Sequence, residues 1–169
     1  MAEVSEFSFN LDSTDLALLN QLQVDASLTN QDLARSVHVS PPTCLRRIKR
    51  LQDAGFIERQ IAILNMDRLA PQLGHGLQAV VEITLEHQAQ EQLELFETRV
   101  IQDDAVQQCY RVSPGPDFIL IVYAHDMPGY LALTQRLFTS DANVRNVKAF
   151  FSVRRAKFLP RMQLTAANR

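Results

Sequence analysis

The spacing of apolar residues changes along this chain, and each change marks a new kind of element. Over the first sixty residues they recur every three or four positions, the period of one face of a helix. Leu18, Leu19 and Leu22 form the first group, with Asp12 or Ser13 as its starting cap. A second helix is predicted at LTNQDLARSV. Thr29 suits the N-cap, Asp32 follows at capping-box spacing, and Leu28 and Leu33 stand where a hydrophobic staple would close. The third opens with Ser40 as cap and Pro41 at its first position, carries the stripe Cys44, Leu45, Ile48 and Leu51, and meets Gly55 at its stop. After it, FIERQIAILN alternates as a strand does, which predicts a wing that carries Arg59.

Residues 65–76, NMDRLAPQLGHG, are rich in turn formers and read as a hinge. Beyond them the period is two: Leu77, Ala79, Val81, Ile83 and Leu85 alternate with mostly polar neighbours. Ala89, Leu93, Phe96 and Val100 mark a helix, AVQQCYRV and FILIVYA two strands about the SPGPD loop. Asp126 then caps a helix with Tyr130, Leu133 and Leu137, and VRNVKAFFSVRR closes as a strand. The order β-α-β-β-α-β is the ferredoxin-like plan. The fold class is therefore α+β, a winged helix-turn-helix followed by a ferredoxin-like domain. The expected division is an extension 1–10, a helix-turn-helix domain 11–60, strand and hinge 61–76, a ferredoxin-like domain 77–158 and a tail 159–169, mobile beyond Arg161.

Two helices cover only one face of a four-stranded sheet, and FILIVYA is apolar on both faces. The open face is expected to find a partner, most economically a second copy.

Composition narrows the function classes. With 46% hydrophobic and 21% charged residues among 169, the chain has the balance of a globular protein. FILIVYA, the longest apolar run, is too short to cross a bilayer, and the acidic N-terminus lacks the form of a signal peptide. Cys44 and Cys109 lie far apart, without disulfide or zinc spacing, so a reducing cytoplasm is the expected compartment and no metal or cofactor is expected. His38, His75, His87 and His125 are scattered, and no nucleophile sits in a recognisable motif. Cys44 reads as a small buried hydrophobe.

Charge is uneven. The net is -2, yet every charge from Leu45 to Leu51 is positive, while Glu82 to Asp104 holds seven acids against Arg99 alone. A short turn at VHVS joins the second and third helices, the arrangement in which the later helix enters the major groove. Thr43, Arg46, Arg47 and Arg50 follow helical spacing on a face beside the buried stripe, with Lys49 at the flank. The DNA-contacting set is thus Ser40 and Pro41, at the amide-rich helix start, with Thr43, Arg46, Arg47, Lys49 and Arg50. Guanidinium groups suit phosphates and the guanine O6/N7 edge, and Arg47 is among the expected base readers. The competing account is a solvated basic face, but no acid interleaves before Asp53.

Leu11–Asp12 with Asp15, Ser40–Pro41, Cys44–Leu45–Arg46–Arg47, Leu51 and Gly55 together resemble the Lrp/AsnC family of prokaryotic transcription factors, over about Leu11 to Pro160. His38 stands where the family often has Gly in the turn. The resemblance implies a sequence-specific regulator acting on double-stranded DNA, a homodimer often assembled into tetramers or octamers, and a second domain that senses amino acids. Its effector loop aligns with Ser113-Pro114-Gly115-Pro116-Asp117-Phe118, so Ser113, Gly115, Asp117 and Phe118 are the implied effector contacts. Asp117 would meet an α-ammonium group, or else is a turn-forming aspartate without a ligand. Pro114 and Pro116 depart from the family's loop and stiffen it. Sirohaem decarboxylases resemble the same architecture and form the enzyme alternative. They need basic and His residues about a tetrapyrrole cleft, for which the second domain offers few His.

Overall fold

The computed structural model describes residues 10–165 except His75, and the side chain of Asp67 is likewise outside the description. Residues 1–9 of the expected extension, His75 and the last four residues of the expected tail therefore lie outside the described residues. Contacts divide the chain into two compact units, one reaching to Ile63 and resuming at Lys157, the other Leu64–Ala156. Segment 157–165, read from sequence as the last two residues of the ferredoxin-like domain followed by tail, thus clusters with the N-terminal helices.

The first unit holds α1 (Ser13–Val24), α2 (Asn30–Ser36) and α3 (Pro41–Asp53). All three predicted caps form: Asp12, Thr29 and Ser40 accept the backbone N–H three residues on. Leu18, Leu33, Ala34 and Cys44 make the core, with Leu22, Leu28, Val37, Val39 and Ile48 packed around it. Burial pushes the Cys44 thiol pKa up, as its place in this core requires.

Two expectations fail after α3. Residues 57–65 form no ladder with any described residue, and Ile61, Ile63 and Leu64 are exposed, so the predicted wing strand has no partner among the described residues. A strand needs a neighbour for its backbone groups, and alternation alone supplies none. The predicted hinge instead contains α4 (Met66–Leu73). Asn65 caps it by accepting the Arg68 N–H at 3.1 Å, it tolerates Pro71 inside, and it stops at Gly74 with φ 87°.

The second unit is a four-stranded antiparallel sheet of order β2-β3-β1-β4, from β1 (Leu77–Leu85), β2 (Val106–Arg111), β3 (Phe118–Ala124) and β4 (Val144–Phe151). Between them run α5 (Gln90–Val100) and α6 (Met127–Thr134), the latter capped by Asp126 and continued by a π turn, Gln135–Thr139. One set of alternate positions, Ala79, Val81, Ile83 and Leu85 with Phe118, Leu120, Val122 and Ala124, is buried against Phe96, Val100, Tyr130, Leu133, Leu137 and Phe138. The other face carries half-buried Val80, Ile119 and Ile121 beside exposed Tyr110 and Phe150. Among the described residues, no helix is long and apolar enough to cross a membrane.

Candidate nucleic-acid interface

The turn between α2 and α3 is built by backbone. His38 takes φ 57°, the Val39 N–H donates to the Ala34 carbonyl at 3.0 Å, and the His38 N–H donates to that of Arg35 at 3.3 Å. This is a Schellman stop, whose left-handed position usually belongs to Gly. His38 holds it at a steric cost of about 1–2 kcal/mol for a residue with a Cβ. The chain then extends for two residues to Ser40, whose hydroxyl meets that of Thr43 at 2.8 Å. Asn30 Nδ2 donates to the Pro41 carbonyl at 2.9 Å, tying the start of α2 to the start of α3. Gly55, φ 75°, ends α3 with a second Schellman stop.

Along α3, Cys44 and Leu51 are buried and Ile48 packs beside them, but Leu45 is 61% exposed. Its place in the buried stripe is corrected: at about 100° per residue it lies a quarter turn from Cys44. Arg46 and Lys49 are exposed on the side away from the core, with Pro41 and Pro42 at the helix start. Arg46, Lys49, Arg50, Asp53 and Ala54 line an open depression of about 540 Å³. Arg59, at the expected wing, hydrogen-bonds through Nε to Glu58 at 3.0 Å.

Arg47 and Arg50 do not simply point outward. Asp15 on α1 is wholly buried, and its Oδ1 accepts from Arg47 at 2.8 Å while its Oδ2 accepts from Arg50 at 2.5 Å. Arg47 also donates to Asp12 at 2.7 Å, and its side chain is only 22% exposed against 46% for Arg50. Asp15 Oδ2 closes the capping box as well, accepting the Asp12 N–H at 3.2 Å. The Asp15 N–H, before Arg47, holds the Asp12 carboxyl below the usual carboxylate range. Hydrogen bonds that Arg47 donates to Asp12 and then to Asp15 push its pKa further up. The outward basic stripe is therefore corrected for these two residues, since each guanidinium spends donors on a buried carboxylate.

Asp15 is the functional residue that helical spacing missed. One signal was present: Arg47 lies only about 60° around α3 from Cys44, on the margin of the core, where a cation needs a partner.

In the second unit the loop from Ser113 to Asp117 begins with a cis Ser113–Pro114 bond and exposes Ser113 and Gly115, the latter at φ 120°. Asp117 is half-buried, and its Oδ2 accepts the Leu85 N–H at 2.7 Å and Gln88 Nε2 at 3.2 Å. It thus fastens the loop to the end of β1, where the β1–β4 register shifts. Phe118 is fully buried, its ring 4.8 Å from that of Phe96. Its implied contact with an effector is corrected, because its strand parity puts it in the core.

Comparison with known proteins agrees with this geometry. A family described as winged helix-turn-helix DNA-binding matches residues 11–58, and one described as the Lrp/AsnC ligand binding domain matches 78–162. The chain is 33% identical over 147 residues to a leucine-responsive regulatory protein of Rhizobium meliloti, covering 87% of this chain and 92% of that one. Its fold is similar to the crystal structure of an AsnC family transcriptional regulator from Agrobacterium tumefaciens, with TM-score 0.77, 28% identity, and 90% and 96% of the two chains covered. It is also similar to that of a Neisseria meningitidis transcriptional regulator, NMB0573, in complex with L-Met, with TM-score 0.76, 29% identity, and 89% and 95% covered.

Proposed function

The chain belongs to the Lrp/AsnC family of helix-turn-helix transcriptional regulators, and from that premise we propose that α3 meets the major groove through Thr43, Leu45, Arg46 and Lys49, with Ser40 and Pro41 at its start. The observation that carries this is the exposure of Arg46 and Lys49 on the side of α3 turned away from the core, next to the open depression. Leu45, freed from the core, suits the methyl group of thymine. Arg47 and Arg50 act first as the links that seat α3 on Asp15, and their positive charge adds to the field that draws the phosphates. The matched families and relatives are regulators, which favours this reading over a tetrapyrrole enzyme.

The ligand of the second unit is an amino acid or a molecule of that form, held at the Ser113–Asp117 loop. The L-Met complex of the Neisseria meningitidis protein supports the class. Asp117 Oδ2 takes both bonds that fasten the loop, which leaves Oδ1 to accept from an ammonium group. The apolar open face of the sheet, Val80, Tyr110, Ile119, Ile121 and Phe150, supports pairing with a second copy, which would present two α3 helices to a palindromic site.

Fluorescence anisotropy with a duplex from upstream of the protein's own gene, beside a scrambled duplex, over a salt series, tests the DNA face. If Arg46 and Lys49 both reach phosphates, Arg46→Ala/Lys49→Ala lowers the slope of log affinity against log salt by about 2. Unchanged affinity and slope on both duplexes would remove these residues from the interface.

A further inference from the structure

The last described residues of the chain lie along α1. Asn20 and Gln23, three positions apart on that helix, each turn a carboxamide toward one backbone unit of the C-terminal segment. Asn20 Nδ2 donates to the Leu164 carbonyl at 2.8 Å, and Asn20 Oδ1 accepts the Leu164 N–H at 3.2 Å. Gln23 repeats the pattern at Met162, donating at 3.1 Å and accepting at 2.9 Å. A carboxamide offers both a donor and an acceptor, so it pairs with a residue's N–H and C=O as a neighbouring strand would. Met162 and Leu164 are two apart, and alternate residues of an extended backbone turn both polar groups to the same side. Because Asn20 pairs with Leu164 and Gln23 with Met162, the segment runs antiparallel to α1.

This is recognition of backbone more than of side chains. Met162 is exposed, and Leu164 alone of residues 161–165 is half-buried. The bonds to Met162 are solvent-exposed, so water competes for them and the segment can come off. Meanwhile α1 has a weak C-terminal end. It carries no basic residue in its last turn, its C-cap is Asp25, and Val24 is 62% exposed. An acid at the negative end of a helix opposes the helix dipole, so this turn frays readily without outside contacts.

We propose that the Asn20–Gln23 face of α1 is a peptide seat filled by the chain's own Arg161–Thr165, a releasable strap. It holds the last turns of α1 and, through α1, steadies the Asp15 anchor of α3.

Hydrogen exchange measured by mass spectrometry and NMR on the full chain tests this without reference to DNA. In the unaltered protein the Met162 and Leu164 amides exchange at least tenfold more slowly than coil. Asn20→Ala/Gln23→Ala abolishes that protection and speeds exchange in the last turn of α1 several-fold. Leu164→Pro removes the Leu164 N–H and with it one of the four bonds, and speeds exchange at Met162 and in the last turn of α1 in the same way, whereas Leu164→Ile, which keeps the N–H, leaves both protected. Combining Leu164→Pro with Asn20→Ala/Gln23→Ala adds nothing further. Peptides from β1 and β3 serve as the internal standard and stay unchanged, so misfolding is told apart from release. Coil-rate exchange at Met162 and Leu164 in the unaltered protein, or an α1 indifferent to Leu164→Pro, overturns the proposal. Protection that vanishes on dilution to the monomer also overturns it, by giving the seat to the segment of a second copy.

Discussion

Replacing Asp15 with Ala isolates the link between α1 and α3. The change removes the acceptor of Arg47 and Arg50 and one half of the α1 capping box. Deleting one member of a buried ion pair typically costs about 3–5 kcal/mol, because the other charge stays behind without compensation. Here that figure must be reduced. Arg50, at 46% exposure, can turn to water, and Arg47, at 22%, keeps Asp12. Loss of the capping contact adds back about 0.5–1 kcal/mol. The net is about 2–3 kcal/mol, a large share of the ~5–15 kcal/mol that holds a domain folded. Amides of α3 that exchange through opening of the first unit should therefore exchange roughly thirty to a hundred and fifty times faster, which peptides from Pro41–Asp53 would report by mass spectrometry. Arg47→Met in the same background should recover much of the loss, since it withdraws the stranded cation. If Asp15→Ala changes α3 exchange by less than threefold, or Arg47→Met makes matters worse, the anchor account is wrong.

Further outcomes concern the other sites. Asp117→Ala leaves the Leu85 N–H unpaired at a cost of about 1–3 kcal/mol, and should abolish any calorimetric signal with amino acids while operator affinity persists; a normal ligand response would move the effector site elsewhere. Ile121→Asp, on the open sheet face, should shift sedimentation toward monomer, and an unchanged profile would mean that another surface pairs the copies. Asp12 has a lowered carboxyl pKa, so its contribution to stability is present above the unfolded carboxylate range and is lost as pH falls through the folded value. The urea midpoint followed by circular dichroism should therefore drop as pH falls below about 4, less so in Asp12→Asn, and equal drops in both proteins would exclude Asp12 as a source.

Local chemistry is what sequence displays best. Asp12, Thr29, Ser40 and Asp126 cap where their side chains suggest, because a cap involves only residues three positions on. The second domain was legible through parity, and Phe118 would have been placed in the core by the alternation it shares with Leu120 and Val122. The resemblance also aligns it with the end of the effector loop, and the two readings compete there. The Asp15–Arg47 link joins residues 32 positions apart on different helices, and no periodicity within either helix carries that pairing. α4 was hidden because Asn65, Pro71 and Gly74 read as turn formers, whereas two of them bound the helix and the third sits inside it. Residues 57–65 show the opposite error, since a strand-like pattern cannot supply the partner that a ladder needs.

The pairing of Asn20 and Gln23 with Leu164 and Met162 sets an order of assembly during synthesis. The DNA-binding helices leave the ribosome first, but the segment that lies on α1 follows α3 by roughly a hundred residues, or about 5–20 s at ordinary elongation rates. During that interval the whole ferredoxin-like sheet emerges and can fold. A nascent chain thus carries a recognition helix whose supporting helix is not yet braced. A chain cut short after β4 would lack Met162 and Leu164 and leave the Asn20–Gln23 face of α1 without its backbone partners.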